Sequence, residues 1–165
     1  MSQKKNSILI LDFGSQYTQL IARRVRELGI YSIVKPYNTD SGEIKKINPK
    51  GIILSGGPNS VNFKKTLRAP KAIYKLGTPI LGICYGMQLL AKEFGGLAVE
   101  SNKKEFGHSE FKIKNKSRLF NHITTTRTNV WMSHSDKVNK LPKGFVSLGE
   151  TSNSKIAGLQ NENLN

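Results

Sequence analysis

Cysteine is nearly absent from this chain, with a single one, Cys84, among 165 residues. One thiol cannot close an internal disulfide or build a cysteine-rich zinc site, so a reducing cytoplasm is the expected setting and no metal is expected. Acidic residues are scarce too, 11 against 26 lysines and arginines, which leaves a formal net charge of +15. Aromatic residues amount to 8%, and neither an RNP-like aromatic pattern nor zinc-finger spacing accompanies the positive charge. The basic residues are scattered, in Lys4-Lys5, Arg23-Arg24-Arg26, Lys45-Lys46, Lys64-Lys65, Lys103-Lys104 and the stretch from Lys112 to Arg118. A basic solvated surface without a specific nucleic-acid partner is the expectation. No apolar run approaches the roughly 20 residues that span a bilayer. Ile8 to Leu11, the first apolar run, is too short for a signal-peptide core. There is no repeat or linker, and the length is that of one domain, enough to bury about 70% of the unfolded surface.

What the chain does have is an alternation of short apolar runs and helical patterns. Ile8–Leu11 reads as a buried strand; Tyr17, Leu20, Ile21, Val25 and Leu28 then share one helical face that Gly29 closes. Tyr31–Val34 is a second strand, followed by a weak helical stretch around Ile44 and Ile47. Ile52–Leu54 is a third, and Pro70 opens a helix through Leu76. Pro79–Ile83 is a fourth strand and runs straight into a helix from Tyr85 to Phe94. This predicts an α/β fold, an open and mostly parallel sheet with helices on both faces. In the second half Gly107–Ile113, Arg127–Met132, Phe145–Gly149 and Lys155–Leu159 read as strands without intervening helices, an antiparallel extension.

The sharpest chemical signal is Gly82-Ile83-Cys84-Tyr85-Gly86, set where a strand ends and a helix begins. It is a nucleophile elbow with Cys at the position where hydrolases carry Ser. The tight turn lifts the thiol out of the sheet, and the flanking glycines avoid clashes that a Cβ would cause. The helix N-terminus is expected to favour the thiolate, and the Tyr85 N–H, free in the first turn, can point at an oxyanion. The alternative is a buried, inert cysteine. Ser55-Gly56-Gly57-Pro58 ends the neighbouring strand, where ligands of open α/β sheets gather, and Gly57 can supply a second oxyanion N–H. Gln88 follows Cys84 by one helical turn and can hold a polar substrate beside the sulfur. Asp12-Phe13-Gly14-Ser15 lacks both phosphate-loop patterns, so no ATP or dinucleotide site is expected in this domain.

Four segments, in order, carry a family resemblance that covers essentially the whole chain: 11–27, Ile53-Leu-Ser-Gly-Gly-Pro, Gly82-Ile-Cys-Tyr-Gly-Met-Gln and Trp131-Met-Ser-His-Ser-Asp-Lys-Val. The chain resembles the N-terminal class I glutamine amidotransferase domain of the GMP synthase family. The resemblance implies L-glutamine as substrate, Cys84 as nucleophile, and Gly57 and Tyr85 N–H groups on the oxyanion. Gln88 and the backbone of Ser133, His134 and Ser135 would grip the amino-acid end. It implies a partner as well: a synthetase (ATP-pyrophosphatase) domain of the same full-length, homodimeric chain, with ATP and Mg2+ bound there and no cofactor in this domain. Residues 1–165 would be one amidotransferase domain, C-terminally incomplete, without the ATP-pyrophosphatase and dimerisation domains. The family's catalytic His and Glu stand in a Phe-His-Pro-Glu segment, which this chain does not contain; its histidines are His108, His122 and His134. Ser135 stands where Gly is common in the family, and His108 where another residue is expected. Two further readings stay open: a module that binds without hydrolysing, and a small α/β redox or stress protein with an elbow cysteine.

Overall fold

The structure, a computed structural model, describes residues 6–164; Lys4-Lys5 and the side chains of Lys103 and Lys104 lie outside the described residues. The first half alternates as expected: β1 (Ser7–Asp12), α1 (Thr18–Glu27), β2 (Tyr31–Pro36), α2 (Ser41–Ile47), β3 (Gly51–Leu54), β4 (Ile80–Gly82) and α3 (Tyr85–Glu93). The strands form a parallel sheet in the order β2-β1-β3-β4. Strand alternation explains why helices lie on both faces. Leu9 and Leu11 of β1 join Ile52 and Leu54 of β3 in a core with Ile44 of α2 and Leu89 of α3. Ile10 and Ile53 point the other way, onto Ala22 of α1. Asp40 starts α2 by accepting from the Gly42 and Glu43 N–H groups. The helix expected after Pro70 is a 3₁₀ turn over Lys71–Lys75.

The second half differs more. β5 (Leu97–Ile113), β6 (Arg127–Lys140), β7 (Val146–Glu150) and β8 (Gly158–Gln160) form an antiparallel sheet in the order β6-β5-β7-β8. These strands make a sheet of their own instead of adding to the parallel one, with α3 between the two, touching β3 and β4 on one side and β5 and β6 on the other. β5 and β6 also run far beyond the expected ranges. Residues 97–106 and 133–140 are mostly small, polar or charged, and such residues extend a strand only because a partner strand pairs with them. Among the described residues no helix is long and apolar enough to cross a membrane.

Candidate active site

The carboxyl ends of β1, β3 and β4 open beside β6, and there a cavity of about 960 Å³ is lined by Gly57, Cys84, Gln88, Ser133, His134, Ser135 and Asp136, among others. Every residue singled out from the sequence therefore meets in one place except Tyr85. Its ring is 1% exposed, packed on Phe13 at 5.3 Å between centroids, with its hydroxyl donating to the Leu67 carbonyl (2.8 Å). Only its main chain reaches the sulfur.

Cys84 sits at φ +52°, ψ −108°, in the left-handed half of backbone space that a side-chain-bearing residue rarely adopts. The turn is stitched to the end of β3, Ile83 N–H to Leu54 O (2.9 Å) and Gly86 N–H to Ser55 O (3.2 Å). Close approach makes both glycines necessary. A Cβ on Gly82 would lie 2.6 Å from Gly86 and Met87 backbone; one on Gly86 would overlap the Leu54 carbonyl and lie 2.7 Å from Leu54 Cβ. Gly57 is equally confined, since its Cβ would meet the Phe13 carbonyl oxygen at 2.6 Å.

Contrary to the expected thiolate, the sulfur donates to the Ser133 carbonyl at 3.4 Å. Burial pushes the Cys84 thiol up, the Tyr85 N–H pulls it the other way, and the Asp136 carboxylate adds to the rise. Desolvation thus outweighs the helix N-terminus in the resting site. Gln88 is likewise committed: it is buried, and its Nε2 donates to the Asp136 main-chain oxygen (2.8 Å) rather than standing open to a ligand.

Residues not anticipated from the sequence brace the walls. Ser55 Oγ accepts from Phe13 N–H (3.0 Å) and donates to Gly56 O (2.8 Å), joining the β1 and β3 loops. The loop after Gly57 is clasped twice. Lys92 Nζ donates to Val61 O (2.6 Å), and the buried Asp136 carboxylate accepts from Ser60 Oγ and from Asn62 Nδ2 (3.4 Å). Asp136 lay inside a quoted motif, yet nothing in the sequence tied it to residues 60–62. Gly14 and Ser15, after β1, form another wall.

Of the three histidines only His134 lines the cavity. Its Nε2 stands 3.1 Å from Glu105 Oε2, and its Nδ1 is buried without a hydrogen-bond partner. His108 and Glu110 have His-x-Glu spacing, but the His108 ring lies edge-on to Trp131 at 5.1 Å and Glu110 pairs with Arg127 at 3.1 Å. Among the described residues the cavity wall includes no lysine or arginine, although the chain is strongly basic.

Comparison with known proteins agrees with this geometry. A GMP synthase [glutamine-hydrolyzing] of Ruthia magnifica subsp. Calyptogena magnifica is 52% identical over 94% of the chain, and one of Bacillus cereus is 48% identical over all of it. The chain spans only 30% and 32% of the length of these relatives. Among solved structures, a protein described as a GMP synthase subunit from Thermoplasma acidophilum superposes with a TM-score of 0.84 at 28% identity, over 96% of this chain and 79% of that one. A glutamine amidotransferase from Thermotoga maritima shares the fold, at TM-score 0.75 and 19% identity over 95% of this chain and 72% of that one. The family described as Glutamine amidotransferase class-I matches residues 9–165, a span that takes in the elbow, both loops and the antiparallel sheet. A match of that extent, over a fold and a cysteine elbow of the kind the family requires, means that the chain belongs to the class-I glutamine amidotransferases.

Proposed function

We propose that this chain is the glutamine-hydrolysing part of a GMP synthase. Cys84 Sγ bonds to the side-chain carboxamide carbon of L-glutamine while N–H groups of Gly57 and Tyr85 hold the oxyanion. The C–N bond breaks, the thiol proton ends on the departing nitrogen, and ammonia leaves. Water then adds to the γ-glutamyl thioester, releasing glutamate and restoring the thiol. Gln88, through its remaining amide oxygen, and the main chain of Ser133, His134 and Ser135 hold the amino-acid end. In the whole enzyme, cytoplasmic and homodimeric, the ammonia passes to a synthetase domain that uses ATP and Mg2+ to adenylate XMP and convert it to GMP.

The observation that carries this reading is the left-handed backbone of Cys84 between two glycines that admit no Cβ. Such strain persists where the surroundings over-determine it, and it aims the sulfur into the cavity. Among the described residues the wall carries Asp136 and no lysine or arginine, which suits a neutral carboxamide on a zwitterion better than a phosphorylated ligand. The test is covalent labelling by a diazoketone analogue of glutamine, read by mass spectrometry. The adduct is expected on Cys84, blocked by L-glutamine and lost in Cys84→Ser. A thiol that reacts with iodoacetamide but takes no analogue, or takes it regardless of glutamine, would sink the proposal.

A second reading, binding and acylation without turnover, is favoured by one observation: the imidazole at the cavity is engaged with Glu105. Label without glutamate release, even after the Phe-His-Pro-Glu segment of a relative is fused on, separates it from the first.

A further inference from the structure

Glu105 and His134 are direct cross-strand partners on β5 and β6, and their side chains are 4% and 13% exposed. Their 3.1 Å approach is an ion-pair distance without hydrogen-bond alignment, for Glu105 Oε2 is buried with no hydrogen-bond partner. The other carboxylate oxygen accepts from Thr151 Oγ1 (2.9 Å) and Ser109 Oγ (3.3 Å). Burying a polar pair of this kind returns little net stability, so stability is a poor explanation of it; fixing register is the better-attested use. Its place in the ladder fits that use. The register of β5 against β6 shifts between Glu100 and Glu105 and is taken up at Glu105 with His134. A slip of one residue beyond that shift would turn every following side chain to the opposite face.

What depends on that register is the wall facing Cys84. Ser133 O accepts from the thiol, and Asp136 O accepts from Gln88 Nε2. The structure assigns Glu105 and His134 to positioning: the pair locks β6 so that the main chain of 133–136 faces the nucleophile. His134 acts through the backbone it carries and not as a base, since its Nδ1 is buried. The inference rests on the proposed function for what this backbone grips, while the positioning itself does not.

The 165-residue chain is compared with His134→Ala, Glu105→Ala, Glu105→Gln and, as a stability control remote from the pair, Ile73→Ala. Three readouts are taken: hydrogen–deuterium exchange of peptides covering 133–136, the rate of Cys84 alkylation, and the glutamine concentration that halves it. Both alanine variants at the pair should exchange faster at 133–136 and need about tenfold more glutamine, the weight of roughly one hydrogen bond from the 133–136 main chain. Glu105→Gln keeps the acceptor for Thr151 and should restore most of the protection. Ile73→Ala should lower the melting temperature and move none of the three. If His134→Ala behaves like Ile73→Ala, the pair is merely structural and the inference falls. Failure of Glu105→Gln to rescue would also overturn it. If glutamine protects no variant, including the parent, the proposed function fails, and the exchange data alone then decide on positioning.

Discussion

Replacing Gly86 by Ala sets two effects of known size against each other. Gly86 is the second residue of α3, and within a helix Ala is favoured over Gly by about 1 kcal/mol. On propensity alone the variant should be the more stable. Its Cβ, however, would overlap the Leu54 carbonyl oxygen and lie 2.7 Å from Leu54 Cβ and 2.8 Å from Leu54 C. Ordinary carbon contacts are about 3.5–4.0 Å, so helix and strand must part by on the order of 1 Å. None of these Leu54 atoms is the free end of a flexible side chain, and moving α3 also stretches the Gly86 N–H bonds to Ser55 O and Ile83 O. Overpacking costs about 1–3 kcal/mol, occasionally more, and contact with backbone atoms places it in the upper part, about 2–3 kcal/mol, from which the propensity gain of about 1 kcal/mol is subtracted. The expected net effect is a destabilisation of about 1–2 kcal/mol; with an m-value near 2 kcal/mol/M the urea midpoint falls by roughly 0.5–1 M. Far-UV circular dichroism across a urea series measures it. A variant as stable as the parent would refute the argument, since it would mean that the elbow is not wedged against β3.

Ser55→Ala strands the buried Phe13 N–H and should cost about 1–3 kcal/mol, read as a melting temperature lower by about 2–4 °C per kcal/mol. Because burial raises the Cys84 thiol, its iodoacetamide rate at pH 7 should lie below that of free cysteine and climb as pH rises past the ordinary thiol range, about 8.5; a faster rate at pH 7 would contradict this. The same shift means that the folded state disfavours the thiolate relative to the unfolded chain. Stability from this group is therefore complete below about pH 8.5 and lost as pH rises through the folded-state value, and Cys84→Ser should flatten that loss. Glutamate release by the 165-residue chain should be slow, because a positioned acid–base group typically contributes about 10²–10⁴ in rate. Fusing the Phe-His-Pro-Glu segment of a relative should restore it, with circular dichroism showing both chains folded. Full turnover by the short chain, abolished by His134→Ala, would place the base at His134 instead.

The parallel half was legible because its signals are local. Ile8–Leu11 and Ile52–Leu54 are apolar runs of strand length, and Gly82 and Gly86 flank a cysteine where strand passes to helix. The antiparallel half was only partly legible because its stability is cross-strand. Residues such as Glu100 and Lys137 lie in strands through pairing of β5 with β6, which leaves no periodicity to read. The same distinction holds within the site. Cys84, Gly57 and Gln88 declare themselves by spacing, whereas the Asp136 clasp on Ser60 and Asn62 joins residues more than 70 positions apart. Glu105 was visible only as one of few acids in a basic chain.

The thiol shows where a correct local argument met a larger opposing one. A helix N-terminus stabilises a nearby anion by about 0.3–1 kcal/mol, up to about 2 kcal/mol when partly buried. Burial of the thiol opposes this and is the larger effect, and the Asp136 carboxylate acts in the same direction as burial. The α3 dipole and the Tyr85 N–H therefore lose at rest. The elbow's contribution is consequently geometric rather than acidic: it holds the sulfur and an N–H together at the end of β4, aimed into the cavity. The thiolate has to be generated in the step that uses it, when the proton leaves for the departing nitrogen or a base.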